Sequence, residues 1–286
     1  MIGLRLLALA GALALAGCGG AGREWPAPSP ALWEVTGADG AHGWLFGTIH
    51  ALPDGAEWRT PAVESAIGEA DLLVVEIAGL GDREAAAEAF GAVSTSPGLP
   101  PLLQRVAPAD RPALAAALDR AGLDEDDLAR TESWAAALLI ANGARASEAE
   151  NGADRALLER GLPVVALESF AAQFALFDRL AEDDQAALLT AAARDAGTGK
   201  ERVLAEAWLT GDLSVLEVEA ESGILADPEL REALQVRRNR AWAKRIGSLL
   251  AKGRRPLVAV GAAHMLGDAG LPELLAERGF TVRRVQ

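Results

Sequence analysis

Trp44-Leu45-Phe46-Gly47-Thr48-Ile49-His50, near the start of the chain, and Leu257-Val258-Ala259-Val260-Gly261-Ala262-Ala263-His264, near its end, share one design. In each, a short apolar run gives way to glycine and, three residues later, to histidine. An unbroken apolar run of this length reads as a strand buried on both faces. Glycine at its end lets the backbone turn sharply and brings a following side chain over the strand terminus. The chain has 3 His and 30 Gly in 286 residues, so two of three histidines fall into this spacing by chance with a probability of about 0.03. Two further runs, Leu72-Leu73-Val74-Val75 and Val164-Val165-Ala166-Leu167, lead straight into Glu76 and Glu168. Phe280 to Val285, after Gly279, fits a strand at a sheet edge.

Between these runs the sequence is helical. Asp110 caps a helix with Pro112 in its first turn and Gly122 at its end. Ser133 to Arg145 carries an apolar face with Trp134, Leu138 and Leu139. Asp227 opens a long helix through Leu230, Leu234, Trp242, Ile246 and Leu249, closed by Lys252 and Gly253. The expectation is an α/β fold: a central sheet with a large, mostly helical insertion, over roughly 82–160 and 169–252, between the two GxxH-bearing strand ends.

In open α/β sheets ligands bind beyond the carboxyl ends of the strands. If the four runs are parallel strands of one sheet, His50, Glu76, Glu168 and His264 face one crevice. Two imidazoles with one or two carboxylates can hold a divalent metal. The same set can equally do acid–base chemistry without one. Arg238, within the cluster Arg237, Arg238 and Arg240, is a candidate to orient a carboxylate or to steady an oxyanion. Gln173 follows Glu168 by one helical turn. His42, in a polar Gly-Ala-Asp-Gly-Ala-His-Gly stretch, reads as a solvated loop residue.

Composition narrows the chemistry. With a net charge of −14 and a single cysteine, the chain lacks the basic footprint of a nucleic-acid binder. It also lacks the cysteines for a disulfide, a cysteine zinc module or an iron–sulfur cluster. No Gly-x-Ser-x-Gly elbow, no His-Glu-x-x-His and no Gly-x-Gly-x-x-Gly after a strand is present. Gly197-Thr198-Gly199-Lys200 fails as a phosphate loop, because Glu201 stands where serine or threonine is needed.

Residues 1–17 read as a signal peptide: Arg5, an apolar run from Leu6 to Ala16, then Leu15-Ala16-Gly17-Cys18, which resembles a lipobox. Cleavage before Cys18 makes it the lipidated N-terminus. Residues 18–30 form a Gly/Pro-rich tether, and 31–286 the folded domain. An acidic body is repelled by anionic headgroups, so the acyl chains carry the membrane attachment. The expected location is the cell envelope, facing the periplasm, with Gly19 after the cysteine favouring the outer membrane.

The two GxxH blocks, together with Ala70 to Glu76, Leu167-Glu168-Ser169 with Gln173, Arg238-Asn239-Arg240-Ala241-Trp242 and Gly279-Phe280, resemble the TraB/GumN family, in its bacterial GumN-like branch. That family includes the Tiki proteases and the PrgY pheromone-shutdown proteins. The resemblance implies a central sheet with the two GxxH histidines facing each other across a cleft. It also implies a metal-dependent protease working with manganese or cobalt; the residues themselves leave the divalent ion open among manganese, cobalt and zinc. His50, Glu76 and His264 would then hold the ion. Glu76, Glu168 and Arg238 would serve catalysis, and Gly47, Gly261, Gln173 and Asn239 would support the site. The expected partner is a peptide or protein substrate. The alternative reading is a non-catalytic regulatory lipoprotein that binds a peptide or glycan.

Overall fold

The computed structural model describes residues 25–143, 152–222 and 224–286. The signal segment 1–17, Cys18 with the first part of the tether, and Arg145 lie outside the described residues. The chain opens with β1 (Leu32–Thr36), β2 (His42–Thr48), α1 (Pro61–Glu69) and β3 (Leu72–Val75). A first helical stretch follows: α2 (Arg83–Gly91), α3 (Arg111–Ala121), α4 (Ser133–Gly143) and α5 (Ala153–Leu158). After β4 (Val164–Ala166) comes a second: α6 (Phe170–Asp178), α7 (Glu182–Asp195), α8 (Lys200–Thr210), α9 (Leu213–Ser222), α10 (Pro228–Arg231) and α11 (Arg237–Ala251). The chain ends with β5 (Pro256–Gly261), α12 (Leu271–Glu277) and β6 (Thr281–Arg284).

The six strands form one sheet in the order β4-β3-β5-β2-β1-β6. β4, β3, β5 and β2 are mutually parallel, with Val75 beside both Ala166 and Ala259, and Phe46 beside Ala259. The α/β expectation therefore holds, and the helical insertion sits where the sequence placed it. Successive residues of a strand face opposite sides, so the runs of β2, β3 and β5 fill two cores, while β4, at the sheet edge, is only partly buried and not the doubly buried strand expected. Phe46, Leu73, Val75, Leu257 and Ala259 pack under α1, α5 and α8. Leu45, Leu72, Val74, Val258 and Val260 pack under α11 and α12 through Trp242, Ile246, Leu250, Leu271 and Leu275. A third core around Trp134, Leu114, Ile140 and Leu189 holds α3, α4 and α7 together as a helical lobe.

Three differences from the sequence reading have physical causes. β1 was not expected, because its apolar residues are interrupted by Glu34, whose carboxylate is taken up by His42 and Arg283. That pairing also draws His42 out of the expected loop and into the start of β2, antiparallel to β1. The helix expected to run unbroken from Asp227 contains a π-helical turn at Glu232–Val236, immediately before the arginine cluster. Third, the second half of the tether is docked. The Trp25 indole donates to the Asp54 carbonyl, the Arg202 guanidinium lies 4.1 Å from its ring, and Ser29 N–H donates to Leu209. Among the described residues no helix is long and apolar enough to cross a membrane.

Candidate functional site

The parallel strands deliver their polar termini to one edge of the sheet. His50 follows β2, Glu76 follows β3, Glu168 follows β4, and His264 lies in the short 3-10 turn Ala262–Met265 after β5. Both glycines of the GxxH blocks are there for space. A Cβ on Gly47 would sit 3.0 Å from the Ala262 backbone and 3.3 Å from Met265, so glycine lets the second block pack on the first. A Cβ on Gly261 would sit 3.2 Å from a Glu76 carboxylate oxygen, 3.8 Å from the His264 ring and 4.0 Å from His50 Nε2. Gly261 thus leaves room beside Glu76, His264 and His50, the three side chains predicted as metal ligands.

The proton positions around His264 follow from its partners. Arg238 Nη1 lies 3.1 Å from His264 Nε2, and a guanidinium can only donate, so Nε2 is the unprotonated acceptor. Nδ1 therefore carries the hydrogen and donates to Asn239 Oδ1 at 2.6 Å. The Asn239 amide in turn donates to the carbonyls of His264 and Ala269. Asn239 is fully buried, and Trp242 covers the imidazole face at 4.4 Å between ring centroids. Burial pushes the His264 pKa down to about 4, with the Arg238 charge acting in the same direction against Glu76. The ring is neutral at pH 7.

His50 is held differently. Its Nδ1 donates to Asp154 Oδ2 at 2.6 Å. Asp154, in the first turn of α5, is buried, and its other oxygen accepts the Arg155 backbone N–H. Gly152 makes this junction possible, since a Cβ there would overlap the His50 carbonyl oxygen and lie 2.6 Å from Asp154 Oδ1. Ala153 N–H donates to the Ile49 carbonyl, stitching the loop after β2 to α5. Nothing in the sequence singled out Asp154. An acidic residue in a first helical turn looks like an ordinary complement to the helix dipole.

Glu76, Glu168 and Arg238 form one ion cluster, largely shielded from solvent. Arg238 reaches Glu168 through a two-pronged contact, Nε to Oε1 at 3.0 Å and Nη2 to Oε2 at 2.9 Å. Nη2 also donates to Glu76 Oε2 at 2.8 Å, and Nη1 to the Leu234 carbonyl inside the π-helical turn at 2.9 Å. With the bond to His264, all five guanidinium N–H groups are engaged. Burial works against the charge on Arg238, but Glu168 and Glu76 more than offset it and raise its pKa. Glu168 also accepts the Trp242 indole N–H, so its carboxylate is spent on holding Arg238 and Trp242. Glu76 Oε1 accepts Gly261 N–H at 2.8 Å and Oε2 accepts the Gln173 amide at 3.1 Å. Burial alone would raise the Glu76 pKa, but the histidines, Arg238 and Gly261 N–H together bring it to about 2, and it is a carboxylate at pH 7. Arg237 and Arg240 are exposed and reach Glu232, away from the cluster.

A cavity of about 230 Å³ opens beside these groups. His50, Glu76, Asp154, Gln173 and Thr48 are its polar lining, and Ile77, Leu80, Phe170 and Phe174, with Val75, Ala259 and Val260 of the strands, its apolar lining. Two Nε2 lone pairs and one carboxylate are donors of the right chemistry for a divalent ion. The arrangement does not gather them. Among the described residues no three His, Cys, Asp or Glu side chains are placed to hold a metal. The Arg238 cation takes the His264 lone pair and one Glu76 oxygen.

A parallel sheet carrying two GxxH histidines after its neighbouring strands β2 and β5, with a Glu76–Arg238–Glu168 cluster beside them, is a specific combination. The profile of the TraB/PrgY/gumN family matches residues 31–284, and the chain belongs to that family. Comparison with curated proteins and with solved structures gives no match.

Proposed function

We propose that this protein is a lipid-anchored hydrolase of the cell envelope that cleaves a peptide bond at the cavity beside His50 and Glu76. The observation that carries the reading is the His50–Asp154 pair: an imidazole held at Nδ1 by a buried carboxylate 2.6 Å away, on the wall of a cavity. This is the arrangement that fixes a histidine's tautomer and steadies its protonated form during general base catalysis. His50 Nε2 takes a proton from a water as its oxygen adds to the peptide carbonyl. The same proton passes to the departing amine when the C–N bond breaks. Gln173 lines the cavity, gives one amide hydrogen to Glu76 and carries a second for the developing oxyanion. Arg238, with no N–H to spare, balances the Glu76 charge and keeps His264 neutral and fixed. Lipidation at Cys18 holds the domain at the membrane, facing the periplasm.

A second reading, the metal-dependent one, is favoured by one feature. Both histidines are fixed through Nδ1 by an oxygen acceptor, the outer-shell arrangement that orients metal-ligating imidazoles. In that case Arg238 would release His264, and manganese, cobalt or zinc held by His50, His264 and Glu76 would supply an acidified water.

One experiment tests both. The full chain, stripped with chelator, is incubated with a peptide pool, alone and with Mn²⁺, Co²⁺ or Zn²⁺. New peptide termini are read by mass spectrometry and bound metal per chain is measured. Cleavage that survives chelation supports the first reading. Cleavage restored only with about one bound ion per chain supports the second. Peptide binding without cleavage under every condition overturns the hydrolase and supports a sequestering lipoprotein.

A further inference from the structure

The cavity beside His50 has a lining of mixed chemistry. Its carboxylates are accounted for: Asp154 by His50, Glu76 by Arg238, Gly261 and Gln173. The apolar lining comes from the strands through Val75, Ala259 and Val260, from Ile77 and Leu80 in the segment after β3, and from Phe170 and Phe174 one turn apart on α6. The two phenylalanine rings stack at 6.3 Å, and Phe174 packs in turn against Phe90 and Trp134 of the helical lobe. The aromatic part of this lining is therefore fixed from behind. No lysine or arginine lines the cavity. Both carboxylates in its lining already have cationic or imidazole partners, so there is little charge left to attract a basic side chain and none to attract an acidic one.

Size sets a further limit. Clefts that enclose a whole drug-sized ligand occupy about 300–1,000 Å³, and this one, at about 230 Å³, has room for a single side chain with its peptide unit. Thr48 adds a further polar group to the lining. Thr48, the residue after Gly47 on β2, is 2 % exposed, and its Oγ1 is buried with no hydrogen-bond partner. A buried hydroxyl without a partner is costly unless something supplies one.

We infer that this cavity is the specificity pocket of the site and takes one large apolar side chain, of the leucine or phenylalanine class, next to the bond that is cleaved, with the Thr48 hydroxyl hydrogen-bonded to the peptide backbone. The inference rests on the hydrolase reading for its cleavage, though not for its binding. Apolar burial against Leu80 and the two phenylalanines supplies the selection. Thr48 supplies register rather than side-chain preference.

The test has two arms, both on the full chain. In the first, a peptide series Ala-Ala-Xaa-Ala-Ala with Xaa Leu, Phe, Ala, Lys or Asp is followed for cleavage. In the second, binding of N-acetyl-leucine amide and N-acetyl-aspartate amide is measured by saturation-transfer NMR, which needs no turnover. Leu80→Phe narrows the pocket and Phe170→Ala, at a half-buried position, widens it. Circular dichroism checks that both fold, and Phe170→Ala carries the test if Leu80→Phe does not. Expected are kcat/KM values for Leu and Phe about tenfold or more above Asp and Lys, a shift toward Ala in Leu80→Phe, and a shift toward Phe in Phe170→Ala. Cleavage with no apolar preference, with a preference for Lys, or with a preference unmoved by both variants overturns the pocket and leaves the hydrolase standing. Leucine amide binding that the variants weaken, without any cleavage, supports the pocket and overturns the hydrolase. Neither binding nor cleavage overturns both.

Discussion

At the scale of single residues, the site is built by fixing protonation states. His264 titrates at 6.5 in a solvated chain and at about 4 in this fold, because burial disfavours the imidazolium. Between those values the unfolded chain holds the extra proton, so the stability from a neutral His264 is full above pH 6.5 and is lost as pH falls toward 4. The loss amounts to about 3 kcal/mol. Glu76, lowered from 4.5 to about 2, adds a loss in the same direction at lower pH, as its carboxylate is protonated between 4.5 and 2. Urea midpoints of the metal-stripped protein at pH 7, 5 and 4 should fall in that order, and His264→Gln should remove the part of the slope between 6.5 and 4. A midpoint independent of pH over that interval would place a charged His264 in the fold. Glu168 acts on Arg238, so Glu168→Ala should cost about 3 kcal/mol in urea unfolding by leaving a buried guanidinium short of its two-pronged partner. A loss under 1 kcal/mol would show that Glu76 alone suffices. The histidines and both glutamates were legible in the sequence, because each follows an unbroken apolar run that forms a strand. Asp154 was not, because its bond to His50 spans 104 residues and leaves no local pattern.

Among the elements, the four parallel strands were readable from their unbroken apolar runs, while β1 was hidden by Glu34 in its middle. The π-helical turn at Glu232–Val236 was also hidden, since its sequence, Glu-Ala-Leu-Gln-Val, suits an α-helix as well. Such turns recur at functional sites, and here one precedes Arg238 and offers it the Leu234 carbonyl. Deleting Ala233 should convert the turn to regular α-helix, leaving α10 and α11 close to their present orientation because the π turn absorbs one extra residue, and should shift the Leu234 carbonyl away from Arg238. With far-ultraviolet circular dichroism unchanged, hydrolysis should drop about 100-fold, the usual cost of a small displacement in catalytic geometry. Undiminished activity in the deletion variant would show that the π turn does not set the position of Arg238.

Across the whole molecule, one sheet gathers residues from both ends of the chain, and the helical lobe closes the cleft with Phe174 and supports it with Trp134. The chain carries a net charge of −14, and under the proposed function a lipid at Cys18 would carry its membrane attachment. That the histidines would meet was foreseeable only from the parallel order of the strands. That the lobe would line the cavity was not, because the packing of α6 against the segment after β3 depends on tertiary contacts with no sequence period. The central claim is that His50, held by Asp154, is the base of a peptide hydrolase. The most direct test compares new peptide termini released by the wild type, His50→Gln and Asp154→Asn, each shown to be folded. The account predicts cleavage by the wild type, a fall of about 10²–10⁴-fold in Asp154→Asn as the imidazole loses its tautomer, and at least as large a fall in His50→Gln. Wild-type rates in a folded Asp154→Asn protein, or no termini from the wild type with or without added metal, would contradict it.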